Sequence, residues 1–123
     1  MTTCREEVIK SLKGLKWKVN NQRQEKYAPN ECVVYVSGVK VEIDTTESYI
    51  FHTELTIEYN EDDPRRLNER IVSILSHVEA DVVKSGADWC TSFKFQDQQV
   101  GTTLGTTMNI KLICDYKEIV YHG

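Results

Sequence analysis

Residues 49–59, YIFHTELTIEY, change chemistry at every step. Tyr49, Phe51, Thr53, Leu55, Ile57 and Tyr59 project to one side of an extended chain. Ile50, His52, Glu54, Thr56 and Glu58 project to the other. Period-two alternation is the signature of a strand, so the segment predicts a long antiparallel strand with one apolar face. Its polar side is expected in solvent or against a partner.

The neighbouring segments supply candidate strands and helices. Residues 32–36, CVVYV, are β-branched and aromatic, and predict a strand. Ser37-Gly38 predicts a tight turn or bulge, after which Val39, Val41 and Ile43 alternate with Lys40 and Glu42. Two closing strands are expected at 89–100 and 108–116, the first with Phe93 and Phe95 on one face. Gly101-Thr102-Thr103-Leu104-Gly105 reads as a mobile hairpin loop between them. Thr3-Cys4-Arg5-Glu6 has the form of a capping box, followed by Val8, Ile9, Leu12 and Leu15 at helical spacing. Asp63-Pro64 predicts a second helix start, with Leu67, Ile71, Ile74, Leu75, Val78 and Val82 behind it and Ser85-Gly86 at its end. Residues 20–31 are polar and read as a loop. The element order is α-β-β-β-α-β-β. The expected fold class is α+β, a mainly antiparallel four- or five-stranded sheet with two helices on one face. Leu12, Leu15, Leu55, Ile57, Ile71, Leu75, Phe93, Ile110 and Leu112 are expected to be buried together.

A chain of 123 residues predicts a single domain, 1–123, that buries about two-thirds of its unfolded surface. No apolar run reaches the roughly 18 residues that span a bilayer, and the charged N-terminus does not resemble a secretory leader, so no membrane partner is expected. The net charge of −4 argues against sequence-specific nucleic-acid binding. Charge is nevertheless uneven. Residues 1–26 carry seven basic groups against three acids, leaving eight basic groups and sixteen acids for the rest. Such asymmetry either steers docking or solvates a helix face. Cys4, Cys32, Cys90 and Cys114 lack any CxxC spacing, so reduced structural thiols are expected, with no zinc.

No motif in the chain announces catalysis. HExxH, GxSxG, a P-loop and GxGxxG are all absent, and His52, His77 and His122 are scattered. Glu54 and Glu58 share a strand face, as paired carboxylates do in acid–base sites, but the alternation reads them as solvated surface charges. Glu61, Asp62 and Asp63 lack the ligand spacing of a calcium loop and are explained by capping. No catalytic residue, metal or cofactor is therefore expected. Arg65 and Arg66 lie in the first turn of the second helix, and Arg66 and Arg70 share a ridge at i, i+4. These arginines either pair locally with Glu69 and the acidic turn or present cations to a partner. Trp17 and Trp89, at element boundaries, either seal a core edge or mark an interface.

The order of elements, the size, and the segments FHTELTIEYNEDDPRRLNERIVSIL and MNIKLICDY resemble the tail terminator and tail-completion proteins of long-tailed bacteriophages. The resemblance covers roughly residues 4–116 and carries no diagnostic motif; Asp88-Trp89-Cys90 has no match in it. It implies a non-enzymatic structural protein of the virion or host cytoplasm. Its partners would be copies of itself in a cyclic homo-oligomer, six-membered in that family, together with a tail tube protein and a head-completion protein. The interface residues expected for such contacts are Lys10, Lys13, Lys16, Lys18, Arg65, Arg66 and Arg70. The alternative is a small α+β binding module or chaperone-like adaptor.

Overall fold

The computed structural model describes residues 3–105 and 107–122, and of residues 102–104 the backbone alone. Local chemistry sets the helix ends. Thr3 Oγ1 accepts from the Glu6 amide at 3.2 Å while Glu6 Oε2 accepts from the Thr3 amide at 3.3 Å, so the capping box opens helix α1, Cys4–Gly14. Asp63 Oδ1 accepts from the Arg65 amide at 3.0 Å and starts a single 3-10 turn, Pro64–Arg66, that leads into α2, Leu67–Lys84. Gly86, at φ 73°, follows the last turn in the left-handed region where side chains are disfavoured.

Among the described residues, five strands form one sheet in the order β1-β2-β3-β5-β4. Strand β1 is Lys18–Asn20, β2 Glu31–Thr45, β3 Ser48–Glu61, β4 Lys94–Leu104 and β5 Thr107–Tyr121. Among the described residues only β1 and β2 run parallel, and every other pair is antiparallel. The fold is therefore α+β with two helices against a sheet. Four expectations need correcting. The strand expected at 89–100 begins only at Lys94, because Asp88–Ser92 form a 3-10 turn. The runs at 32–36 and 39–43 are one strand, because Ser37-Gly38 makes a bulge in the register with β3 rather than a turn. The third strand before α2 is instead β1, too short to show periodicity. Residues 101–104 lie within β4, with Gly105 at φ 58° as the turn; Thr106 lies outside the described residues.

The core joins Val8 and Leu12 of α1, Ile71, Ile74, Val78 and Val82 of α2, and Val34, Leu55, Ile57, Tyr59, Ile110 and Leu112 of the sheet. Both helices thus cover the same face, which holds Leu55 and Ile57 as the alternation predicts. Leu15 and Leu75 are only half-buried, unlike the other expected core residues. In α2 the inward stripe passes through Ile74 and Val78, which turns Leu75 toward the rim. Leu75→Ala should therefore lower stability by about 1 kcal/mol, below the ~2–5 kcal/mol typical of a fully buried leucine. A urea midpoint showing the larger loss would mean that Leu75 is a full core residue.

Candidate functional site

Strands β2, β3 and β5 continue past the helices as a three-stranded arm. Its helix-side face carries Val39, Val41 and Ile43, which are 60%, 50% and 79% exposed. On β3 these residues stand opposite Thr53, Phe51 and Tyr49. The same pleat that buries Val34, Leu55 and Ile57 under the helices leaves this continuation uncovered.

The opposite face of the arm carries charged side chains next to Ile50, Ile119 and Tyr121, and it opens into a cleft of about 880 Å³ that reaches Ser92 and Lys94. Two rows of side chains cross it. In one, Lys40, His52 and Lys117 stand abreast, and His52 Nε2 lies 2.8 Å from Glu42 Oε1. In the other, Glu54 stands directly opposite Asp115, which faces Lys94. Ser37, at the bulge, donates to Glu54 Oε1 at 2.9 Å and accepts from Thr56 Oγ1 at 2.8 Å. Gln96 Nε2 donates to Glu54 Oε2 at 3.3 Å. Burial, with Glu54 adding repulsion across the strands, raises the Asp115 carboxyl above its ordinary value. Lys94, His52 and Gln96 oppose that rise.

A carboxylic acid with a raised value binds its proton more tightly when folded, so folding loses stability as pH rises through that value. Asp115→Asn should consequently stabilise the protein by about 0.5 kcal/mol at neutral pH, the scale of one like-charge cross-strand pair. The gain should vanish in acid, where Asp115 is already protonated; a gain equal at both pH values would show that charge is not its source.

Glu58 departs most from expectation. Far from being a solvated surface charge, it is 3% exposed, under the loop of residues 21–30. Tyr27 Oη donates to Glu58 Oε1 at 2.7 Å, and the Arg23 guanidinium contacts both carboxylate oxygens at 3.3 Å. Asn109 donates at 3.4 Å and Lys111 Nζ lies 3.9 Å away. Arg23 also lies 4.4 Å above the Tyr35 ring, a cation–π arrangement. Burial pushes the Glu58 carboxyl up, but the bonds from Arg23 and Tyr27 outweigh it and hold it below its ordinary value. The sequence signal for this strap is a lone aromatic, Tyr27, in an otherwise polar loop.

The expected interface residues divide into groups. Lys10, Lys13 and Lys16 are exposed on α1 and just beyond it, and Lys18 Nζ is 3.8 Å from Glu31. Arg65 pairs with Asp63 at 3.2 Å, the local alternative. Arg66 and Arg70 line one hollow with Trp17, but Arg70 turns inward, with Nε 3.2 Å from the buried Glu61 and Nη1 donating to Asn30 at 3.2 Å. Trp89 is buried and tilts against Tyr116, while Trp17 meets Tyr59 edge-on.

A third cluster joins the helices. Ser11 Oγ donates to Asp81 Oδ2 at 2.8 Å, and His77 Nε2 lies 3.1 Å from the same oxygen. The carboxylate stands between hydroxyl and imidazole, the wrong order for activating a serine nucleophile. It ties α1 to α2. All four cysteines are free and buried, and burial pushes the Cys32 and Cys114 thiols up to about 12. Among the described residues, no group of three or more His, Cys, Asp or Glu is placed to hold a metal ion, and no helix is long and apolar enough to cross a membrane.

These features define an α+β chain whose distinctive surface is an arm, with Val39, Val41 and Ile43 exposed on its helix side and a mixed-charge cleft on the other. Compared with known proteins, the chain matches no family model and no curated sequence.

Proposed function

We propose that this chain is a non-enzymatic structural assembly subunit of the tail-terminator type, which closes into a ring that caps a phage tail tube and joins it to the head. The observation that carries this reading is the uncovered apolar face of the arm, Val39, Val41 and Ile43. Exposed apolar side chains in continuous array mark a surface that another polypeptide covers. The exposed Lys10 and Lys13 on α1, with Lys16 just beyond it, and the acidic remainder of the chain supply opposite charges for head-to-tail contacts. Arg65 and Arg66 remain in the proposed contact set. Arg70, which faces Glu61, does not.

Light scattering and electron microscopy of the purified protein, alone and mixed with isolated tail tubes, test the reading. Rings, or caps on tube ends, are the expected result. Arg65→Glu with Arg66→Glu should abolish them with the melting temperature nearly unchanged, because both side chains are exposed. Rings that survive the double change would exclude these arginines from the contact. A wild type that assembles neither alone nor on tubes would overturn the terminator reading. The mixed-charge cleft on the arm's other face favours the second reading, a small binding module or adaptor, in that event.

A further inference from the structure

Strand β1 covers β2 only at Glu31, Cys32 and Val33, and Arg5 Nε donates to the Val34 carbonyl at 3.0 Å. Beyond that point the outer edge of β2 has no strand beside it among the described residues. The opposite sheet edge, β4, is protected by its side chains, which are polar from Gln96 to Gln99. The β2 edge is not. From Gly38 to Ile43 its register with β3 is unbroken, and its side chains include Val39, Val41 and Ile43.

The sequence of this edge is complementary to itself. We propose that it pairs antiparallel with the same edge of a second copy, about a two-fold axis through Val41. In that register Val41 meets Val41, Val39 meets Ile43, and Lys40 meets Glu42, each twice by symmetry except on the axis. Residues opposite one another in an antiparallel pair share a face. The apolar pairs therefore fall together on the helix side, and both ion pairs fall on the opposite side. The paired stretch is Val39 to Ile43, bounded by a register break on either side, and it stops short of the Val34 carbonyl that Arg5 occupies. A lone lysine commonly guards an open edge; here Glu42, two residues on, gives that lysine a counter-charge in the second copy. The two half-sheets join into one of ten strands, and Val39, Val41 and Ile43 of both copies merge into a single patch.

This contact is isologous, so it cannot by itself close a ring. It describes the chain alone in solution and does not rest on the tail-terminator reading. Sedimentation of the purified wild-type protein over a concentration series should show a monomer–dimer equilibrium. Lys40→Glu sets Glu against Glu42 twice, and Glu42→Lys sets Lys against Lys40 twice. Each alone should raise the dissociation constant at least about tenfold. The two changes in one chain restore opposite charges and should restore the dimer. Glu42 also contacts His52 within its own copy, but that contact is lost equally in Glu42→Lys and in the double variant, so recovery reports the contact between copies.

An equimolar mixture of the two single variants should give heterodimers, which misfolded variants cannot do. Under mild oxidation V41C should cross-link to its own copy across the axis, whereas I43C, set against Val39, should not; the native thiols are buried. A wild type that stays monomeric at millimolar concentration overturns the pairing. So does a dimer indifferent to the single charge changes, or one that cross-links through I43C in preference to V41C. A tail-capping ring could survive any of these outcomes.

Discussion

Glu58→Ala should be among the most damaging single changes in the chain, with a loss of about 3 kcal/mol in urea unfolding. The substitution removes one buried carboxylate and leaves Tyr27 Oη, Asn109 and part of the Arg23 guanidinium without their acceptor. Arg23 is half exposed and rehydrates, which keeps the loss at the lower end for a broken buried pair. Because the strap of residues 21–30 contains Arg23 and Lys26, its release creates tryptic sites. Limited proteolysis should therefore cut Glu58→Ala there much faster than the wild type. A carboxyl held below its ordinary value contributes stability that is fully present above the unfolded-state value and disappears as pH falls through the lowered one. The wild type should consequently lose this stability only as pH falls below the ordinary carboxylate range, read by urea unfolding because trypsin is inactive there, and Glu58→Gln should lack that acid limb. Equal cleavage rates in wild type and Glu58→Ala would show that the carboxylate does not hold the strap.

The second large effect is expected at Arg70. Its Nε lies 3.2 Å from Glu61 Oε1, and Glu61 is 3% exposed. The approach is too oblique for a hydrogen bond, so the attraction is mainly Coulombic. Glu61 Oε2 also accepts from the Asp63 amide at 3.2 Å, which places the carboxylate at the junction of β3 and the turn before α2. Arg70→Glu sets a second negative charge against it and should lower stability by about 3–5 kcal/mol. Replacing both partners, Arg70→Met with Glu61→Met, removes the uncompensated charge and should recover most of that loss. If Arg70→Glu melts like the wild type, the pair is not formed in solution. The same geometry makes Arg70 unsuitable for testing assembly, since a change there reports folding first.

What could be read from the sequence followed the distance over which each signal acts. Thr3-Glu6 and Asp63-Pro64 are complete within a few residues; α1 starts as predicted, whereas Asp63-Pro64 opens a 3-10 turn that delays the second α-helix to Leu67. The strand at 49–59 carries its period internally, and the structure extends it by only one or two residues at each end. Ser37-Gly38 was ambiguous because a turn and a bulge use the same residues; the choice is made by β3, which pairs on both sides of the bulge. The burial of Glu58 depends on residues 31 and 35 positions away, Tyr27 and Arg23, and alternation alone sees only its solvent-facing parity. The Glu54–Asp115 contact depends on the register between β3 and β5, which no local pattern encodes.

The central partnership of the sheet also sets a timetable for synthesis. Strand β3 is joined along its whole length by β5, so Ser48 waits for Tyr121 and Glu61 for Met108. On a ribosome the β2–β3 hairpin emerges first and forms from near neighbours, while closure across the long intervening segment comes later. Throughout that interval both borders of the hairpin are open, one along Leu55 and Ile57 and the other along Val39 and Val41. The nascent chain is then at its stickiest, and crowded polysomes or slow translation between residues 61 and 108 should favour aggregation over the native sheet. Pausing in that stretch would prolong the hazard, whereas rapid elongation through it shortens the wait for β5.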